Sequence, residues 1–238
     1  MKRLCTICAR GGSKGILHKN IRLLNGTPLI AYTIRQALAS SLFALVAVSS
    51  DSDAVLSVAA AYGAHVLVRR PAHLASDEAP KLSAIRHAVA AVERRRGSRY
   101  ETIVDLDATA PLRLTGDIRE AVRLLEESGA GNVITGTPSR RSPYFNMVEY
   151  KPEGGVGLVK QPSPSVHRRQ DAPLTYDMNA SIYGWRRDAL MAGDTLFRDD
   201  TRLYVMPPER SWDIDSEADW DYVAYRMARS GTGADAQG

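Results

Sequence analysis

Short apolar runs alternate with helical repeats along the first half of the chain. Residues 4–9 form an apolar run of the length of a buried strand. Residues 28–40 then read as a helix. Pro28 suits a first turn, and Leu29, Tyr32, Thr33, Gln36 and Ala37 fall at helical spacing, with Ile30, Ile34 and Leu38 adding a second stripe. Residues 43–48 read as the next strand. Ser49-Ser50-Asp51-Ser52-Asp53 follows it and supplies caps for a helix running to residue 62. A short strand at 65–68 precedes a long helix at 80–96, with Leu82, Ile85, Val89 and Val92 on one face. Residues 102–106 and 132–135 are strands, and 115–127 is a helix with Ile118, Val122 and Leu125 inward. This rhythm predicts an α/β fold, a doubly wound, mostly parallel sheet between helical layers with right-handed crossovers.

The rhythm breaks after Gly136. Residues 137–175 are rich in proline and arginine, with short alternating pieces at 144–150 and 156–160. They read as a small irregular β excursion from the sheet, suited to a lid or a dimer contact, and not as an independent domain. Residues 175–185 re-enter the main body, with Asn179-Ala180-Ser181-Ile182-Tyr183 as a strand. A further strand at 202–206 and a last helix at 216–227 complete a single domain over residues 1–229. Residues 230–238 are small and polar and read as a flexible tail.

The chain of 238 residues is long enough for one sizeable core, and its 44% hydrophobic content is ordinary. A net charge of +4 suits acidic substrates. It is too weak and too scattered for nucleic acid, and no stacking aromatics accompany it. No apolar run is long enough to span a membrane, and the basic start leads to no cleavage-like site, so neither a membrane segment nor a signal peptide is expected. Cys5 and Cys8 sit on one short strand, poorly placed to pair and too few for a metal site. They read as small core residues of a cytoplasmic protein.

Chemistry enters at the end of the first strand. Arg10-Gly11-Gly12-Ser13-Lys14-Gly15 is followed by Lys19, Asn20 and Arg22. Three glycines let the backbone turn tightly and bring its N–H groups to a ligand, and four cations share the stretch. The spacing fits neither a Walker loop nor a dinucleotide fingerprint. The stretch reads as a grip on nucleotide phosphates, against the alternative of a basic surface turn. Near the other end, Asp213 and Asp215 flank Ile214. On an extended segment both carboxylates face one side, as hard oxygen ligands for Mg²⁺, with Mn²⁺ as a substitute. The alternative is that one of them caps the last helix. Ser49 and Asp51 stand at a strand end, where they either contact a ribose or base or cap a helix.

Ala9-Arg10-Gly11-Gly12-Ser13-Lys14-Gly15 and Lys19-Asn20-Ile21-Arg22 resemble the signature of the acylneuraminate cytidylyltransferases, which make CMP-activated sialic acids. The resemblance runs from about residue 3 to residue 227. Leu4-Cys5-Thr6-Ile7-Cys8-Ala9 and Leu106-Asp107-Ala108-Thr109-Ala110-Pro111 look most like the branch that activates legionaminic acid. What the resemblance implies is a Rossmann-like nucleotidyltransferase fold and a homodimer. The substrates it implies are CTP and a nine-carbon 2-keto sugar acid, with Mg²⁺ at Asp213 and Asp215. Arg10 and Lys14 match residues on the CTP phosphates, with Gly11, Gly12 and Ser13 around them and Asn20 beside the nucleotide. Lys19 and Arg22 either hold the departing pyrophosphate or brace the loop. Ser49, Asp51 and Arg70 match the cytidine pocket, and Asp77 belongs to the same Leu74-Ala75-Ser76-Asp77 stretch.

For the sugar acid, the resemblance implies Arg168 and Gln170, in a motif that reaches across the dimer, together with Tyr176, Asn179, Tyr183, Asp107 and Thr109. One departure is instructive. The sialic acid enzymes usually carry Gln-Pro-Thr-Ser-Pro where this chain has Asp107-Ala108-Thr109-Ala110-Pro111. A carboxylate in place of an amide removes donors and adds a charge. That favours a nonulosonic acid with amide-bearing carbons, whose N–H Asp107 accepts; a metal ligand or a base for the anomeric proton are its other readings. Activation of sialic acid itself, or of an eight-carbon acid, is the enzymatic alternative. A nucleotide-binding regulatory protein is the non-enzymatic one.

Overall fold

β1 (Arg3–Cys8) is the central strand, and the chain builds outward from it in both directions. The structure is a computed structural model and describes residues 1–13, 15–161 and 168–230. Lys14 and the expected tail from residue 231 onward lie outside the described residues.

After β1 come a two-stranded hairpin, β2 (Leu23–Leu24) and β3 (Thr27–Pro28), and helix α1 (Leu29–Ala39). The hairpin turns on Asn25 and Gly26, both at positive φ (47° and 80°), the Asn-Gly signal of a tight hairpin. β4 (Leu45–Ser50), α2 (Asp53–Ala61), β5 (Val66–Arg69), α3 (Lys81–Arg96), β6 (Thr102–Leu106), α4 (Thr115–Ser128) and β7 (Asn132–Pro138) follow. The excursion holds the hairpin β8 (Val148–Tyr150) and β9 (Val156–Leu158). The chain then returns through β10 (Tyr176–Met178), β11 (Ile182–Arg186), α5 (Arg187–Ala192), β12 (Arg202–Val205) and α6 (Glu217–Ser230).

The main sheet runs β10-β7-β11-β6-β1-β4-β5, with β12 also on β7. The half from β5 to β6 is wholly parallel, as the βαβ rhythm predicts. The other half is mixed, because β11 runs antiparallel to both β6 and β7. A strand that re-enters from an excursion, with no crossover helix behind it, pairs antiparallel. The strand order reverses at β1, so the crevice lies beyond the carboxyl end of β1, between β4 and β6.

Two apolar layers hold the sheet. On one face Ile7, Val48, Val104 and Leu106 meet Ile30, Ile34, Ile118, Val122 and Leu125 of α1 and α4. On the other, Leu4, Ala47, Ile103 and Trp185 meet Ile85, Val89 and Val92 of α3. A third, smaller cluster docks α6 through Trp220, Val223 and Met227 onto Ile16, Leu24, Leu29 and Ile214. This cluster matters for the site, because it carries the segment around Ile214 up to the loop after β1. Cys5 and Cys8 are free thiols; Cys5 sits in the first apolar layer, and burial pushes both well above the usual thiol range. No helix among the described residues is long and apolar enough to cross a membrane.

One expectation of a strand fails locally. Asn179 and Ser181 lie in a break between β10 and β11, with Ala180 in the left-handed region (φ 52°). β10 and β11 both pair with β7, at its two ends, and residues 179–181 span the gap between them.

Candidate active site

A cavity of about 440 Å³ opens at the carboxyl end of β1. The loop after β1 contributes Arg10, Ser13, Gly15, Lys19 and Asn20 to its lining. Two glycines explain how that loop lies so close to its neighbours. A Cβ on Gly15 would stand 2.1 Å from the Asp215 carbonyl oxygen, and one on Gly11 would stand 2.7 Å from Ser52 Cβ. Gly12 has open space around it.

Polar side chains fasten the loop from beneath. Asp51 Oδ1 accepts the Gly11 amide at 2.8 Å, so Asp51 shapes the loop while Ser52, not Asp51, caps α2. Asn20 Nδ2 donates to the Arg10 carbonyl at 3.0 Å. Its Oδ1 is buried and takes no hydrogen bond among the described residues. Ser13 donates to the Ile16 carbonyl. Arg10 pairs with Asp77 across the cavity mouth. Ser49 is fully buried, and its carbonyl and hydroxyl anchor Arg70, which lines the cavity.

Of the carboxylate pair, Asp215 lines the same cavity and Asp213 is not among the lining residues. Lys19 Nζ donates to the Ile214 carbonyl at 2.6 Å and to Asp215 Oδ1 at 2.9 Å. The Ile214 amide donates to the Thr109 carbonyl, tying the segment to the end of β6. Burial and the neighbouring Asp215 carboxylate push Asp213 up to about 6. Arg22 is placed elsewhere. It makes two bonds to Glu217 and lies over the Trp220 ring at 4.4 Å, bracing α6 rather than lining the cavity.

The opposite wall comes from α3 and the end of β6. Asp107 Oδ1 accepts the Thr109 amide and hydroxyl at 3.0 and 2.9 Å, and Oδ2 accepts Lys81 Nζ at 2.7 Å. Burial alone would raise Asp107; the Lys81 ammonium and Thr109 outweigh it and hold the carboxyl at about 2. Lys81 also lies 3.5 Å from Asp105 Oδ2 and 4.5 Å from the centroid of the Tyr183 ring. Burial works against its charge, but Asp107 and Asp105 outweigh that and hold the ammonium above its ordinary range. Strand register explains the grouping, since Asp105 pairs with Thr6 on β1 and with Tyr183 on β11. Thr6 donates to Asp105 Oδ1 at 2.7 Å. Beneath them Arg113, 1% exposed, donates to Ser181, Thr33, Gln36 and the Asp107 carbonyl.

Of the residues singled out in the sequence, Arg10, Ser13, Asn20, Arg70, Asp77, Asp107, Thr109 and Asp215 meet in this cavity. Asn179 is 5% exposed, and its amide is engaged with Thr135, Ser181, Met206 and Ser211. Tyr183 is buried beneath Lys81. Arg168 pairs with Asp171, Gln170 is exposed on the excursion and Tyr176 is exposed at the start of β10, and none of the three lines the cavity of their own chain. Two residues escaped the sequence reading. Arg113 is one, because its partners are distant in the chain. Lys81 is the other, and it left a signal. It is the first residue of α3, where the helix dipole disfavours a cation, so a nearby carboxylate was to be expected.

The fold, with its cavity at the carboxyl end of β1, is that of a Rossmann-like nucleotidyltransferase. The structure of a CMP:2-keto-3-deoxy-manno-octonic acid synthetase complexed with CTP has the same fold. It superposes with a TM-score of 0.69 at 17% identity, over 97% of this chain and 100% of that one. The chain belongs to the cytidylyltransferase family, whose model matches residues 4–201, and it is a CTP-dependent nucleotidyltransferase. It is 47% identical to a CMP-N,N'-diacetyllegionaminic acid synthase of Campylobacter jejuni, over 94% of each chain. It is 44% identical to a post-translational flagellin modification protein B of Campylobacter coli, over 93% of each chain.

Proposed function

We propose that this enzyme transfers CMP from CTP to the anomeric hydroxyl of a nonulosonic acid, with N,N'-diacetyllegionaminic acid as the first candidate, and releases pyrophosphate. The observation that carries the reading is one cavity with two unlike walls. Arg10, Ser13, Gly15, Lys19 and Asp215 line one side, and the Asp107–Thr109 turn lines the other. The relative named as a CMP-N,N'-diacetyllegionaminic acid synthase supports the choice of acid.

The chemistry follows from what each wall offers. The acceptor hydroxyl must approach the α-phosphorus in line with the departing pyrophosphate, and charge grows on the phosphoryl oxygens. Arg10 and the loop amides neutralise and orient the phosphates, and Lys14 joins them in this reading. Ser49 anchors Arg70 beside the nucleoside, with Asp51 fixing the loop. Holding both substrates in one crevice makes a covalent enzyme intermediate unnecessary.

Asp213 and Asp215 suit a divalent cation. They are hard oxygen donors: burial first, and then the Asp215 carboxylate, raise Asp213 to about 6, and a bound cation would relieve the repulsion between the two. No group of three or more such ligands occurs among the described residues. Mg²⁺ is content with one or two carboxylates, water and substrate phosphates. These two residues would hold Mg²⁺, or Mn²⁺ in its place, which when bound would offset phosphoryl charge. Lys19 keeps Asp215 in position for that role.

In this reading residues 1–229 form one domain, and the excursion at 137–175 is a dimer contact. Support comes from Val148, Tyr150 and Val156, exposed apolar side chains on β8 and β9, and from exposed Leu174 near the end of the excursion. A homodimer would bring Arg168, Gln170 and Tyr176 toward the partner's sugar acid. CTP supply places the reaction in the cytoplasm.

The test is pyrophosphate release from CTP and Mg²⁺ across legionaminic, sialic, pseudaminic and eight-carbon keto acids. Selective turnover of the diacetylated legionaminic acid is expected. Preference for sialic acid would keep the reaction and overturn the choice of acceptor. Silence across the panel, despite CTP binding, would overturn the transfer itself.

A further inference from the structure

Lys81 sits where a cation is electrostatically misplaced, at the first position of α3, and it lines the cavity. Its partners explain why it is tolerated. Nζ donates to Asp107 Oδ2 at 2.7 Å, with Asp105 Oδ2 at 3.5 Å and the Tyr183 ring at 4.5 Å. An ionised carboxylate has about four acceptor sites. Among the described residues Asp107 uses three, two on Oδ1 for Thr109 and one on Oδ2 for Lys81. One acceptor site on Oδ2 is left, on a residue that lines the cavity.

Both substrates of the proposed reaction are anions. A bare carboxylate at position 107 would repel the triphosphate and the acceptor's own acid group. Joined to Lys81 its charge is offset, and it still presents a strong acceptor. From this geometry we propose that Lys81 is a positioning residue that sets acceptor specificity. It holds Asp107 ionised and aimed so that the carboxylate receives an N–H from an acylamino group of the sugar acid. The inference rests on the function proposed above and deepens it, since it says which feature of the acceptor is read and by what. A sugar acid with a hydroxyl in place of that acylamino group offers an O–H that rotates to other acceptors, where the planar amide fixes its N–H, and is accepted less well.

Steady-state kinetics on Lys81→Met, Lys81→Arg, Asp107→Gln and the double variant Lys81→Met/Asp107→Gln test this. Lys81→Met is expected to raise KM for the diacetylated acid about tenfold or more while leaving KM for CTP within about twofold. Lys81→Arg keeps the cation and is expected to restore most of the loss. The double variant is expected to outperform Asp107→Gln alone, because that single change leaves Lys81 without its carboxylate. Thermal unfolding and CTP binding monitor the fold of each variant, and Lys81→Arg keeps the comparison alive if the methionine variant is not stable. Three results would overturn the inference: an unchanged acceptor KM in Lys81→Met, equal rises for both substrates, or strictly additive losses in the double variant. Failure of the unmodified enzyme with every acid would instead be a failure of the proposed function, and the inference would fall with it.

Discussion

On one wall of the cavity, cations project from a glycine-rich loop and pair with carboxylates at the surface, as Arg10 does with Asp77. On the other wall, Lys81 and Asp107 bond to each other above a buried layer of Thr6, Asp105, Tyr183 and Arg113. In the proposed function the first wall meets phosphates, which are alike in every nucleotide. Backbone amides and a few fixed points, Asp51 on Gly11 and Asn20 on the Arg10 carbonyl, are enough to shape it. The second wall must tell one sugar acid from another, and discrimination needs groups that cannot rearrange. The contrast is one of support: the phosphate wall is held by the backbone, the acceptor wall by the core.

The comparison breaks first at Arg113. Replacing it with methionine leaves the carbonyls of Asp107 and Ser181 without a charged donor deep in the sheet. A stability loss of roughly 3–5 kcal/mol is expected in urea unfolding, as for other broken buried charge networks. A loss below about 1 kcal/mol would show that the acceptor wall does not depend on the core. Asp215→Asn comes next. It removes charge from the pair but not the fold, and pyrophosphate release should fall about 10²- to 10³-fold with its Mg²⁺ response weakened.

Smaller effects sharpen the contrast. Asn20→Ala unties the phosphate loop from below. KM for CTP should rise about tenfold, worth about 1.4 kcal/mol, with KM for the acceptor little changed. A matching rise for the acceptor would mean that the two walls are not separable. The smallest effect belongs to the excursion. Val148→Lys alters an exposed position, so urea stability measured at low protein concentration should move by no more than about 0.5 kcal/mol. Self-association, read by sedimentation, should weaken if β8 and β9 form a dimer contact.

The same contrast decides what the sequence could reveal. The run at 102–106 is buried along its whole length, and local pattern alone placed β6 to the residue. That the loop after β1 lines a cavity was legible because glycines and cations together have no use in a core. The Asp213–Asp215 spacing was legible because an alternating pair declares its own geometry. Asn179 was misread as strand for the opposite reason. Its composition suits a strand, but it lies at a break, held by Thr135 and Ser211, far away in the chain. Lys81 and Asp107 are 26 residues apart, and Arg113 and Ser181 are 68 apart. Side chains on separate strands and helices meet only once the sheet order is set, so the acceptor wall could not be assembled from local pattern. The turn at Asn25-Gly26 was a local signal passed over, as was the cation at the start of α3.

The central claim is that the α-phosphorus of CTP ends up on a sugar acid. The direct measurement supplies CTP labelled at that phosphorus, with Mg²⁺ and N,N'-diacetyllegionaminic acid, and follows the label by chromatography and mass spectrometry. Label is expected in a CMP–sugar acid conjugate, in step with unlabelled pyrophosphate. Label retained in CTP, or appearing only as free CMP at a rate indifferent to the acid, would contradict it.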